Sequence, residues 1–256
     1  MKHARIAWQG AVRPATVEDD GTLRLADGRA APAEEVIWLP PVRICTAFAL
    51  GLNYADHAAE LAFKAPEVPL VFLKGPNTFI GHRAATHRPD GVKSMHYECE
   101  LAVVIGRGGR GIRREHAYEH VAGYTVANDY AIRDYLENWY RPNLRVKNRD
   151  GCTPIGPWMV DRDDVPDPMA LKLCTRINGQ VVQQGTTADM IFDVPFLIEY
   201  LSAFMTLSPG DVILTGTPQG LAETRPGDVV ETEIESVGCL VNTIVGDEAG
   251  HSQTAD

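Results

Sequence analysis

Two glutamates, Glu98 and Glu100, stand one residue apart in His96-Tyr97-Glu98-Cys99-Glu100-Leu101, just before the apolar run Ala102-Val103-Val104-Ile105. In a strand, residues two apart share a face, so these carboxylates stand side by side, with His96 on the same side. Two close like charges raise each other's pKa unless a cation sits between them. Hard divalent ions such as Mg²⁺, Mn²⁺ or Ca²⁺ fill that role and prefer oxygen donors. The plain alternative is a surface pair on an edge strand, but the apolar run that follows argues for burial. A third carboxylate, Asp129, lies at a strand-to-helix junction in Val126-Ala127-Asn128-Asp129-Tyr130, where it would serve as a third ligand or as a helix cap.

Further chemistry-bearing residues are spread along the chain. His57 and Glu60 are three apart on a segment of helical character, so they share a face. A carboxylate beside an imidazole orients it and raises its basicity, as a general base needs; an exposed ion pair would have the same spacing. Arg141, Arg145, Lys147 and Arg149 form a basic stretch without an acid, which reads as an anion funnel or as a solvated loop. Thr215-Gly216-Thr217-Pro218-Gln219-Gly220 follows an apolar strand and offers hydroxyls and backbone N–H groups to a carboxylate, as an ordinary turn also would. Gly106-x-Gly108-x-x-Gly111 matches a dinucleotide fingerprint, but the strand before it carries two carboxylates and no second βαβ unit follows. Nucleotide binding is therefore not expected.

The elements that must position these groups are short strands and turns with few helices. The spacing predicts strands at 45–52, 70–73, 98–105 and 123–127, and helices at 54–61, 113–121, 132–139 and 194–204. Asn178-Gly179 between two strand-like runs predicts a hairpin. Pro209-Gly210-Asp211 and Pro226-Gly227-Asp228 predict two turns of one kind, each followed by a strand. The class expected is mixed α/β and β-rich, not a doubly wound sheet. Residues 1–43 read as a small N-terminal β domain, 44–246 as the catalytic domain and 247–256 as a flexible tail.

Composition narrows the partners. The 256 residues carry a formal net charge of −10, a poor match for nucleic acid. No apolar run approaches the ~20 residues a membrane span needs, and MKHARIAWQG lacks the apolar core of a secretory leader, so a cytoplasmic protein is expected. The five cysteines never form a C-x-x-C pair, which argues against disulfides and thiolate zinc. Any metal must take oxygen or imidazole ligands.

From about Cys45 to Val245 the chain resembles the fumarylacetoacetate hydrolase superfamily. GLNYADHAAEL, PLVFLKGPNT, HYECELAVVIG, VAGYTVANDYAIRD, NGQVVQQGTTADMIF and LSPGDVILTGTPQG carry the likeness, in the family's order. NDYAIRDYLENWYRPNLRVKNRDGCTPIGPW is most similar to its homoprotocatechuate branch, with 5-oxopent-3-ene-1,2,5-tricarboxylate decarboxylase and 2-hydroxyhepta-2,4-diene-1,7-dioate isomerase activities. The resemblance implies a β-sandwich roll and a homodimer. It implies Glu98, Glu100 and Asp129 as ligands of Mg²⁺ (or Mn²⁺, with Ca²⁺ a substitute), and an anionic 2-oxo acid as substrate. It makes His57 and Glu60 an acid–base pair on a mobile segment, with Lys147, Lys74 and Thr217 as substrate contacts. Arg141 and Asn143 are expected at the substrate's far carboxylate. One departure stands out: several relatives have Gln seven residues after the third ligand, where this chain has Leu136. The alternatives are an acylpyruvate C–C hydrolase, an oxaloacetate-type decarboxylase and a non-catalytic small-acid binding protein.

Overall fold

The N-terminal residues alternate apolar and polar types, and a computed structural model describing residues 1–136 and 143–246 folds them as strands. β1 (Lys2–Trp8), β2 (Ala11–Val17), β3 (Leu23–Leu25), β4 (Ala30–Ala31) and β5 (Ile37–Leu39) come first. β6 (Ala47–Gly51), α1 (Ala55–Glu60), β7 (Leu70–Lys74), β8 (Phe79–Ile80), β9 (Ala85–Arg88) and β10 (Met95–His96) follow. Next are β11 (Cys99–Ile105), β12 (Val121–Asn128), β13 (Ala131–Ile132), α2 (Leu144–Lys147), β14 (Thr153–Asp161), β15 (Lys172–Ile177) and β16 (Gln180–Thr186). α3 (Val194–Phe204), β17 (Val212–Leu214), β18 (Val229–Ile234) and β19 (Gly238–Gly246) complete the chain.

The large sheet runs β4-β3-β2-β1-β14-β12-β11-β17-β6-β7, with β5 on β1 and β8 on β14. A second sheet runs β16-β15-β18-β19-β9. β11 lies near the centre of the large sheet and all its residues are buried. Its two faces do different work. Cys99, Leu101, Val103 and Ile105 join the core that includes Leu173 of β15, Ile234 of β18 and the inner face of α3. Ala102 and Val104 point the other way, onto Ala49, Ala127 and Ile155. Glu98 and Glu100 have the parity of this second face, so strand periodicity alone keeps two acids off the main core.

Turn chemistry follows the sequence closely. Asn178 (φ 51°) and Gly179 (φ 79°) are both left-handed, as a two-residue turn between twisted strands requires. In each Pro-Gly-Asp turn the Asp carboxylate accepts a backbone N–H three residues back, Ser208 for Asp211 and Arg225 for Asp228. α3 spans the expected residues, with Asp193 accepting from Phe196 N and proline in the first turn.

Two helix expectations need correction. Residues 114–120 form 3₁₀ turns and not an α-helix. Over 131–135 a short strand leads into one 3₁₀ turn. There Ile132 pairs with Met95, and Asp134 accepts from Lys93 N and Ser94 N. These partners compete with the helix that the spacing suggested. Residues 137–139 of that expected helix, Arg141 and the 247–256 tail lie outside the described residues.

His82 joins the N-terminal strands to the second sheet. Its Nδ1 accepts from Val241 N at 3.1 Å and its ring lies 5.1 Å from Trp38, edge to face. Burial, aided by Arg83, pushes its pKa down to about 4, against about 6.5 in an unfolded chain. Because the folded value is depressed, the stability is fully present above pH 6.5 and is lost as pH falls toward 4. His82→Asn keeps an acceptor but does not titrate. Its melting-temperature deficit against wild type should shrink steadily from pH 7 to pH 4; a pH-independent deficit would show that His82 titrates normally.

Candidate metal and acid–base site

The β11–β12 ladder pairs Glu100 with Ala127 and Cys99 with Asn128, which brings Asp129 beside Glu98. Asp129 N donates to Glu98 O at 2.9 Å, and the Asn128 amide oxygen accepts from Glu98 N at 3.0 Å. One carboxylate oxygen from each of Glu98, Glu100 and Asp129 lies within 4.8 Å of the others, and all three residues are buried. Asp129 does not cap a helix.

Cations surround the three acids unevenly. Lys147 Nζ lies 2.7 Å from Glu98 Oε2 and 2.9 Å from Asp129 Oδ2, and donates to Asp129 O. Its approach to Asp129 Oδ2 is an ion-pair contact without the alignment of a hydrogen bond, so that oxygen keeps an unsatisfied lone pair. Arg133 Nη2 donates to Glu98 Oε1 at 2.6 Å. Glu100 has only Gly216 N on Oε2, at 2.7 Å, and its Oε1 is buried without a partner.

The titration of these groups follows the asymmetry. Burial works to raise Glu98, but Lys147 and Arg133 outweigh it and hold its pKa low. Burial works to lower Lys147, but Asp129 and Glu98 hold it above its usual value. Glu100 is driven well upward by burial, then by Asp129 and Glu98. Three converging carboxylates with two buried oxygens lacking a hydrogen-bond donor, and one acid whose pKa its neighbours drive upward, are a donor set short of a cation. The residues therefore fit a hard divalent ion bound through oxygen.

α1 brings His57 to the edge of this cluster. His57 Nδ1 lies 3.2 Å from Glu60 Oε2, and Glu60 Oε1 accepts from Gly220 N and Leu221 N. His57 is buried, so the pair is not an exposed ion pair. Burial lowers the His57 pKa, Glu98 opposes that, and Arg133 adds to it, leaving a net fall. A neutral imidazole with one nitrogen held by a carboxylate can accept a proton at the other.

A cavity opens beside these groups, lined by the polar His57, Glu98, Arg133 and Lys147 and by apolar residues that include Leu61, Phe72 and Leu136. Asn143 also lines it. Other expected site residues sit elsewhere. Lys74 is fully buried, and its ammonium contacts Asp129 Oδ1 and Lys147 O, so it grips a carboxylate of the cluster and does not face the cavity. Strand parity puts Lys74 on the inward face of β7 with Phe72, which buries its ammonium beside Asp129. Thr217 is buried one residue beyond Gly216. His96 turns to Glu223 at 2.9 Å and accepts from Arg133 Nε at 3.4 Å, outside the acidic cluster.

The basic stretch does not act as one funnel. Lys147 points inward, Arg145 stacks on the Tyr135 ring at 3.9 Å, and Arg149 donates to His87 O. Sequence reasoning missed Arg133. The available signal was a lone cation four residues after Asp129, in a segment that is otherwise mostly apolar.

Residues 46–245 match the family model described as fumarylacetoacetate (FAA) hydrolase, C-terminal, and the chain belongs to that family. Among its relatives is the 4-hydroxyphenylacetate degradation bifunctional isomerase/decarboxylase of Salmonella dublin. It is 63% identical over 206 residues, covering 80% of this chain and 48% of that protein. The homoprotocatechuate catabolism bifunctional isomerase/decarboxylase of Escherichia coli is 62% identical over 203 residues, covering 79% and 47%. The chain thus spans about half the length of the curated relatives it matches. The crystal structure of 5-carboxymethyl-2-hydroxymuconate delta-isomerase from Mycobacterium smegmatis superposes with a TM-score of 0.84. It is 38% identical and covers 96% of this chain and 99% of that one. The β-rich roll expected from the sequence is therefore the fold found. No helix among the described residues is long and apolar enough to cross a membrane.

Proposed function

We propose that this chain is a divalent-metal-dependent decarboxylase and isomerase of an unsaturated 2-oxo di- or tricarboxylic acid in homoprotocatechuate catabolism. The observation that carries the reading is the orphaned Glu100 oxygen in a buried triad whose Glu98 lines one cavity with His57, the partner of Glu60. Glu98, Glu100 and Asp129 would hold Mg²⁺ or Mn²⁺. When bound, the ion supplies Lewis acidity at the 2-oxo acid end, where negative charge grows as CO₂ leaves.

The protein's own groups do the rest. Lys147 and Arg133 place two positive charges at the cavity wall, where they bind and orient an anionic substrate. His57, held by Glu60, moves the proton that keto–enol and double-bond isomerisation require. Thr217 binds a substrate carboxylate, and Asn143 with Arg141 reads the far one. Lys74 orients Asp129. The reading includes a cytoplasmic homodimer, which mass measurement in solution checks.

The apolar wall favours decarboxylation over hydrolysis. Leu61, Phe72 and Leu136 contribute apolar lining and offer no hydrogen bond to position a water. Incubating the protein with 5-oxopent-3-ene-1,2,5-tricarboxylate and Mg²⁺ should release one CO₂ per substrate consumed. Cleavage into two acids without CO₂ would end this reading. Leu136→Gln supplies an amide at the wall and should shift acylpyruvate substrates toward hydrolysis by roughly tenfold, the scale of a single polar contact; an unchanged rate would show that Leu136 does not govern water there.

A further inference from the structure

Gln183 lies on β16, with Thr175 of β15 beside it and the segment that follows β17 on its other side. It is 2% exposed, so its amide must find partners within the protein. It does so completely. Thr175 Oγ1 donates to Gln183 Oε1 at 2.9 Å, and Gln183 Nε2 donates to Pro218 O at 2.8 Å and to Thr217 Oγ1 at 3.0 Å.

These bonds fix a polarity. A carbonyl can only accept, so Pro218 O forces the NH₂ end of the amide toward residues 217–218. The other hydrogen of that NH₂ then points at Thr217 Oγ1, which must accept it. A hydroxyl that accepts in this way keeps its own hydrogen to give. Thr217 is 1% exposed, and among the described residues no acceptor takes that hydrogen. A buried donor with no acceptor is unfavourable unless a ligand completes it.

The neighbouring residue shows where this occurs. Gly216 N donates to Glu100 Oε2, so Thr217 follows directly on a contact to the acidic triad. We propose that Gln183 is a positioning residue: its amide turns the Thr217 hydroxyl into an obligate donor, reserved for a carboxylate oxygen of the substrate. The inference rests on the reading of Thr217 as a substrate contact. It assigns Gln183 no contact with substrate. Its role is to aim the Thr217 hydrogen at an anionic acceptor at that point.

Gln183→Glu tests the polarity at nearly constant shape. The new carboxylate still accepts from Thr175, but it has no hydrogen for Thr217, whose hydroxyl then turns to donate to it. KM for the 2-oxo acid should rise about 10- to 100-fold, with kcat within about threefold, the pattern of lost binding. Gln183→Met removes the partner without reversing the polarity and should raise KM far less. A circular dichroism melt checks that each variant folds, and Gln183→Met carries the comparison with wild type if Gln183→Glu does not fold; a Met variant that raised KM as much as Thr217→Val would then overturn the proposal.

Thr217→Val separates the possible failures. If it leaves KM unchanged, Thr217 is not a substrate contact and the reading beneath the proposal falls with it. If it raises KM while Gln183→Glu does not, only the proposal falls. In the double variant, Gln183→Glu should add little to Thr217→Val, because the hydroxyl it redirects is gone. Fully additive losses would show that the new charge simply repels the substrate, and would overturn the proposal.

Discussion

Glu100→Gln should abolish turnover while making the metal-free protein more stable. Glu100 is buried beside Glu98 and Asp129, with one oxygen unsatisfied and its pKa driven well upward. The amide keeps the acceptor for Gly216 N, removes the charge conflict and adds an N–H that the neighbouring carboxylates can accept. A gain of about 2–6 °C in melting temperature is expected for a chain of this size. The same change should erase the stabilisation that Mg²⁺ or Mn²⁺ gives the wild type, since a ligand stabilises only the state that binds it. Chelated wild type should be equally inactive and recover on adding metal. A variant still stabilised by Mn²⁺ as strongly as wild type would place the ion elsewhere.

His57→Ala and Glu60→Ala should each lower kcat by on the order of 10²–10⁴, the range for losing general acid–base catalysis. Metal affinity should hardly change, because neither side chain belongs to the acidic triad. The double variant should be little worse than the more damaged single one, since the pair acts as a unit. Additive losses would show two independent roles. Glu60→Gln refines the test. It can still accept from Gly220 N and Leu221 N, so the loop stays held, but it no longer offers His57 a charge. A strong loss there points to the imidazole, whereas wild-type kcat would mean that Glu60 serves only to anchor the loop.

The features legible in the sequence are those set by local periodicity and turn chemistry. A strand's two-residue repeat is enough to put Glu98 and Glu100 together. Asn178-Gly179 and the two Pro-Gly-Asp turns state their backbone angles in their residue types. α3 announces itself through its helical spacing over 194–204, with Pro195 tolerated in the first turn. What stayed hidden depends on partners distant in sequence. Nothing near Lys74 says that its ammonium is committed to Asp129 and the Lys147 carbonyl. Nothing near Arg133 says that a carboxylate waits at 2.6 Å. Residues 131–135 carry a helical pattern, yet Met95 and the backbone of Lys93 and Ser94 claim them. β14 was obscured by Pro154 and Pro157, which ordinarily argue against a strand.

The β11–β12 pairing has an evolutionary consequence. All three acids of the triad lie on one antiparallel hairpin, between Glu98 and Asp129, locked by an unbroken register from Cys99↔Asn128 to Val104↔Gly123, with a bulge before the last pair, Ile105↔Val121. The remaining groups at the cavity arrive on separate segments: α1, β7, the turn at Arg133 and α2. The hairpin is therefore a heritable cassette. Substitutions, insertions and deletions in the other segments can remodel substrate choice without touching the geometry that would grip the ion. The glycine-rich loop that closes the hairpin can also change length, because it lies beyond the last ladder pair. A shift of one residue inside the ladder has no such freedom: it would turn the acids into the core and the core residues toward the cavity in a single step. Divergence in such a lineage should accumulate around the hairpin and spare its register.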